Sequence, residues 1–163
     1  MTLKHDLAPF LDGRLADWHG LPELRLDEME AAFGPPAERS SVELGYYPAI
    51  QAVFPYPVPS GGIIAYERAG AVVMIQALAP PPVALLAALG EPTTIVPHEI
   101  LLPDAYAPEY LYGPRGLALT VAIPFDSKDP REIVRCRSVR PFATAREFGP
   151  DYYKPFEDRT HYS

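Results

Sequence analysis

At 163 residues, with 48% hydrophobic and 21% charged side chains, the chain has the length of one domain and a composition that excludes global disorder. Its net charge is −7, divided as five Lys/Arg against ten Asp/Glu in residues 1–80 and nine against eleven in residues 81–163, and such a chain repels a phosphate backbone, so nucleic acid is not the expected partner. A single cysteine, Cys136, excludes any intrachain disulfide.

In chain order, Leu7, Phe10, Leu11, Leu15 and Trp18 recur at spacings of three and four. This stripe predicts a first helix over residues 4–19, interrupted near Asp12-Gly13 and stopped by Gly20-Leu21-Pro22. A second helix is predicted from about Leu26 to Phe33, with Asp27 and Glu28 in a first turn that suits negative charge. Gly34-Pro35-Pro36 ends it. Strands are expected at Ala49–Phe54, Ile63–Glu67 and Ala71–Leu78, the last two forming a hairpin around Arg68-Ala69-Gly70. Pro80-Pro81-Pro82 leads into a short apolar helix, Val83–Leu89, closed by Gly90-Glu91-Pro92. Strands return at Glu109–Tyr112, Leu117–Ile123 and Glu132–Val139. The 21 prolines stand singly or in short clusters, as rigid loop chemistry does.

The order of elements repeats. Residues 72–81 lie over residues 133–142 without a gap, which places Val72, Val73, Met74 and Ile75 on Ile133, Val134, Arg135 and Cys136. A glycine, Gly62 or Gly116, opens the strand before each, and a Gly-x-Pro stop, Gly34-Pro35-Pro36 or Gly90-Glu91-Pro92, ends the helix before that. A third such junction is expected at Gly149-Pro150, after Phe142–Phe148. Near-equal spacing of like units marks a repeat architecture. The expected fold is therefore α+β: one domain over residues 1–163, with an N-terminal helix, repeat 1 at about 23–80, repeat 2 at about 81–142, and a tail at 143–163. The sequence leaves open whether the two sheets join into one longer sheet; joined, they would carry helices on one face and leave the other face free.

A helix, a Gly-x-Pro stop and a small antiparallel sheet in tandem resemble the β-lactamase-inhibitor-protein family and the SmpA/OmlA-type lipoproteins. The resemblance covers residues 23–142 in element order, and only the Gly-x-Pro junctions at residue level. It implies protein binding without chemistry. Those families are exported, whereas Met1-Thr2-Leu3-Lys4-His5-Asp6 lacks the apolar stretch of a secretory signal, and this chain has neither a lipidation cysteine nor a disulfide pair. β-Lactamase is thus not the implied target. With no stretch of roughly 20 apolar residues to span a bilayer, a cytoplasmic protein without membrane association is expected.

Catalytic signals are few. Ser60, in Pro59-Ser60-Gly61-Gly62, is not in a Gly-x-Ser-x-Gly elbow. Cys136 shares a strand face with Val134, and so is expected to be buried and unreactive. His5, His19, His98 and His161 are scattered, and His98-Glu99 is expected in a loop, so neither metal nor cofactor is predicted. Gly61-Gly62 precedes a strand, the wrong context for a phosphate cradle. The carboxylates Asp27, Glu28, Glu30, Glu157 and Asp158 read as solvated faces.

Two features suit an interface. Arg135 and Arg137 point opposite to Cys136 and, with Arg131 and Arg140, form a basic stripe; the competing reading is an edge strand guarded by charge. Tyr46, Tyr47, Tyr56, Tyr106, Tyr110 and Tyr112 lie in or beside loops, and Tyr152, Tyr153, Phe156 and Tyr162 lie in the tail. Tyr and Arg are enriched at interface hot spots. The expected partner-binding residues are Tyr46, Tyr47, Arg135 and Arg137. The expected function is non-catalytic protein binding, most concretely a bacterial immunity or inhibitor protein that neutralises a toxin or enzyme, with a basic nuclease as one target. The alternatives are an accessory subunit of a larger bacterial assembly and an enzyme with no linear motif.

Overall fold

The computed structural model describes residues 3–55, 61–126, 128 and 130–152. Among the described residues, four helices and eight strands make an α+β fold dominated by one antiparallel sheet. Helix α1 (Leu3–Leu11) and a 3₁₀ turn (Leu15–Asp17) come first, then helix α2 (Leu26–Phe33) and strands β1 (Glu38–Leu44), β2 (Tyr47–Pro55), β3 (Gly62–Arg68) and β4 (Ala71–Ala77). Helix α3 (Leu85–Leu89), strands β5 (Thr94–Leu102), β6 (Ala105–Tyr112), β7 (Leu117–Pro124) and β8 (Glu132–Ser138), and helix α4 (Ala145–Tyr152) follow. The strand order is β1-β2-β3-β4-β8-β7-β6-β5. Helix α2 precedes β1–β4 and helix α3 precedes β5–β8, and the two four-stranded meanders meet edge to edge at β4 and β8.

The predicted stripe of the first helix is fully buried: Leu7, Phe10, Leu11, Leu15 and Trp18 are each no more than 2% exposed. They pack with Leu26 and Met29 of α2 on one face of the sheet, against Ala52, Phe54, Ile63, Ala65, Ile75, Leu117, Leu119, Val121 and Cys136. Helix α2 matches its predicted bounds. The Arg25 backbone N–H donates to the Glu28 carboxylate at 2.9 Å, and Gly34, at φ +87°, stops the helix.

Two strands are absent from the sequence reading, β1 and β5, and both are the sheet's edges. Strand β1, Glu-Arg-Ser-Ser-Val-Glu-Leu, buries only Leu44, so it shows no apolar alternation. Strand β5 carries Pro97, which an edge tolerates, and its register with β6 slips between Val96 and Ile100. Edges are where charge and proline belong, and those residue types are what hides a strand from a pattern search. His98-Glu99 accordingly lies in β5, not in a loop.

The last strand corrects a second expectation. β8 lies between β4 and β7 at the centre of the sheet, so its arginines do not guard an edge. Val134 is skipped in the ladder, where Thr120 faces Arg135 and Val121 faces Ile133. It is the extra residue of a β-bulge, and Ile133, not Val134, shares the core face with Cys136. Val73 is skipped in the same way between β3 and β4, where Tyr66 faces Met74 and Glu67 faces Val72. The two bulges fall on residues that the gapless match of 72–81 with 133–142 superposes.

The seam between the meanders is short. Ile75 faces Ser138 and Gln76 faces Arg137, and the second pair, Gln76 and Arg137, is also aligned in that match. Other groups reinforce the seam. The Trp18 indole N–H donates to Ser138 Oγ at 2.8 Å, the Leu21 N–H to the Val139 carbonyl at 3.0 Å, and Arg115 to the Trp18 carbonyl at 3.1 Å.

The far face of the sheet is not wholly free, contrary to expectation. Phe142 and Phe148 pack there with Leu44, Ala49, Met74, Leu111, Ala118 and Val139. The expected stop at Gly149-Pro150 is also absent: α4 runs through both residues to Tyr152. Its start is capped by Glu147, whose carboxylate accepts the Ala143 and Thr144 N–H groups. The tail beyond Tyr152, with Tyr153, Phe156 and Tyr162, lies outside the described residues, as does Tyr56. Among the described residues no helix is long and apolar enough to cross a membrane.

Candidate protein-binding surface

Tyr46 and Tyr47 stand at the tip of the β1–β2 hairpin. Leu44 pairs with Tyr47 across a two-residue turn, Gly45-Tyr46, and Gly45 takes the positive φ of +61° that such a turn needs. Both rings face water, at 43% and 48% exposure. Arg68, at the end of β3, holds the tip. Its guanidinium donates to the carbonyls of Leu44, Pro48 and Tyr47, and it lies 5.6 Å from the centre of the Tyr47 ring. A charged donor thus fixes three carbonyls of the hairpin, and Pro48 stiffens the backbone after the rings.

Beside this tip is the β3–β4 turn, Ala69-Gly70. Ala69 adopts φ +53°, a left-handed conformation that costs a non-glycine residue roughly 1–2 kcal/mol. The turn is held there from outside: the Gly70 carbonyl accepts the Leu26 N–H at 3.1 Å, and the Arg25 guanidinium packs against Gly70. Between the two turns runs an open groove of about 680 Å³, lined by Ser41, Tyr47, Pro48, Ala49, Ile50, Glu67, Arg68 and Ala69.

The predicted arginines sit elsewhere. Strand β8 is three strand spacings from β2, roughly 14 Å across the sheet. Arg137 is 3% exposed, which corrects the reading of its side chain as outward and available. Its Nη2 donates to Glu109 Oε1 at 2.6 Å, and its guanidinium lies 5.4 Å from the Phe148 ring centre. Arg135 is partly buried and donates from Nε to Thr120 Oγ1 at 3.0 Å and from Nη2 to Glu109 Oε2 at 3.3 Å. Thr120 in turn donates to Glu109 Oε2 at 2.8 Å. Glu109 is completely buried. Burial pushes its carboxyl up, but the guanidiniums of Arg137 and Arg135, with hydrogen bonds from Arg137 and Thr120, outweigh that and hold it below the ordinary carboxylate range. Tyr66 of β3 shares this field. Burial raises its phenol above the ordinary value, against the pull of both arginines. Among the described residues the cluster sets two cations around one anion, and it links β6, β7 and β8.

The other loop tyrosines divide. Tyr106 is 54% exposed and makes an edge-on contact with Phe125 at 4.7 Å. Tyr110 and Tyr112 are buried in β6, within the strand expected at Glu109–Tyr112, and Tyr110 accepts a hydrogen bond from Arg131. Arg68, Glu67 and Glu109 escaped the sequence reading. Only Glu109 left a signal: one carboxylate in the otherwise uncharged strand Ala-Tyr-Ala-Pro-Glu-Tyr-Leu-Tyr demands a buried partner.

Cys136 is 1% exposed, with Ile75 in the same cluster. Burial, and then the charge of Glu109, push its thiol up to about 12. It borders a cavity of about 290 Å³ between Phe10, Leu15 and Pro80-Pro81-Pro82. A water-soluble thiol reagent at pH 8 is expected to label it far more slowly in the native protein than in urea. Equal rates would mean that β8 is not held as described. No three His, Cys, Asp or Glu side chains gather as a metal site among the described residues. Comparison with protein-family models, curated proteins and solved structures finds no match to this chain.

Proposed function

We propose that this chain is a non-catalytic protein-binding protein that acts in the cytoplasm as an immunity or inhibitor protein and neutralises a toxin or enzyme. The observation that carries the reading is the β1–β2 tip: two half-exposed tyrosines on a hairpin pinned by Arg68, at the lip of an open groove. Aromatic rings on a rigid support lose little freedom on docking, which is what hot-spot residues need. The acidity of the chain suits a basic target, since complementary charge speeds encounter.

A duplicated build is part of the proposal. The matching element order, the bulges at Val73 and Val134, and the Gln76–Arg137 pair at the seam support descent of the two halves from one unit. The resemblance in element order to tandem inhibitor and lipoprotein sheets points to the same class of function.

The test is purification of the tagged protein with whatever partner accompanies it in fixed stoichiometry, followed by calorimetric titration of variants. Tyr46→Ala and Tyr47→Ala are each expected to cost about 2 kcal/mol of binding free energy, with the far-UV spectrum unchanged. Unchanged affinity in both removes this surface. Arg137 is unsuitable for such a scan, because truncating a buried ion-paired side chain disturbs folding before it reports on binding.

A further inference from the structure

We infer that the groove beside the β1–β2 tip takes a lysine or arginine side chain from a basic protein partner, with Glu67 as the counter-charge. This rests on the protein-binding reading above and adds the chemistry of what is bound. Glu67 lines the groove from β3, opposite Ile50 of β2 and Val72 of β4. It is half-buried, yet its carboxylate has no ion pair and no side-chain hydrogen bond among the described residues. Arg68, the one cation among the described lining residues, donates from Nε and Nη2 to three hairpin carbonyls and forms no ion pair with Glu67. The remaining wall, Tyr47, Pro48, Ala49 and Ile50, is apolar enough for the methylene stem of a long cationic side chain.

The rival occupants fit worse. An acidic segment meets Glu67 head on, and residues 1–80, which supply the whole groove, carry ten acids against five bases. A purely apolar segment covers the carboxylate without satisfying it, a burial without compensation that proteins avoid. A cation flanked by apolar residues answers both the charge and the wall.

The experiment titrates the isotope-labelled full chain by NMR with two capped peptides, Ala-Leu-Arg-Leu-Ala and Ala-Leu-Glu-Leu-Ala. The arginine peptide is expected to shift the amides of Tyr47, Ile50, Glu67 and Ala69, and the glutamate peptide to leave them in place. Glu67→Gln is expected to weaken the arginine peptide roughly tenfold, the usual weight of one charge-assisted hydrogen bond. Glu67→Asp should retain part of the affinity, and Glu67→Arg should abolish it. Equal response to both peptides, no groove shift at millimolar peptide, or indifference to Glu67→Gln overturns the inference. With a co-purified partner the two readings separate. Loss of binding in Tyr47→Ala together with full binding in Glu67→Gln overturns the cation site and leaves the protein-binding surface standing. Full binding in both removes the surface itself.

Discussion

Glu109→Gln is expected to destabilise the native state by about 3–5 kcal/mol, because it leaves a buried guanidinium without its counter-charge. Arg137 loses a 2.6 Å ionic contact in a place where its Nε already lacks a partner among the described residues, and the glutamine amide adds donors where acceptors are needed. Arg137, with 4% of its side chain exposed against 22% for Arg135, is the more deeply buried of the two, so more of the loss falls on it. The double variant Glu109→Leu/Arg137→Leu should recover much of the deficit, since apolar replacement of a whole buried pair is often close to neutral. The pH dependence has a definite sign. The folded protein holds the Glu109 carboxyl below its ordinary value of 4.5, so its contribution is fully present above about pH 4.5 and is lost as pH falls through the folded value. The stability gap between wild type and Glu109→Gln is therefore constant from pH 7 to 5 and narrows in acid. Urea midpoints across that range measure it. A gap that widens below pH 4.5 contradicts the assignment.

Trp18→Ala is expected to cost about 3–5 kcal/mol, the usual loss for a large aromatic side chain removed from a core. Trp18 is 2% exposed and packs on Phe10 at 5.3 Å, and its indole N–H is bound to buried Ser138 on β8. That bond crosses 120 residues of sequence and lies beside a seam with only two ladder pairs. Trp18→Phe keeps most of the apolar bulk and removes the donor, so its cost should be clearly smaller. Denaturant unfolding with the slope compared between variants distinguishes lost packing from a loosened native state. A cost under about 1 kcal/mol for Trp18→Ala would show that α1 and the 3₁₀ turn do not hold the two meanders together.

Local periodicity and turn chemistry determined much of the fold from sequence alone. The stripe from Leu7 to Leu11 was legible because a helix must bury one face, whereas Leu15 and Trp18, expected on the same helix, are buried from a 3₁₀ turn and the extended residue after it. The bounds of α2 were legible because Gly34-Pro35 cannot continue a helix, and Leu117–Ile123 because strict alternation has one structural meaning. A helix followed by antiparallel strands was legible in both halves for the same reason. The edges β1 and β5 were not, because an edge strand is selected for charge and proline, which erase the pattern that reveals a central strand. The place of β8 was decided only by tertiary structure. Nothing local tells Arg-Cys-Arg at the centre of a sheet from the same residues at its rim; the difference is whether β4 arrives beside it. A bulge at Val134 then moved one residue between faces, which a strict period of two cannot anticipate. The candidate surface divides in the same way. Tyr46 and Tyr47 could be read as loop residues, because the strand signal begins only after them, at Ala49. Arg68 on the hairpin carbonyls, Glu67 in the groove and Glu109 between two arginines could not, because each depends on strand register, and register is fixed by the burial of a whole face rather than by any neighbour in the sequence.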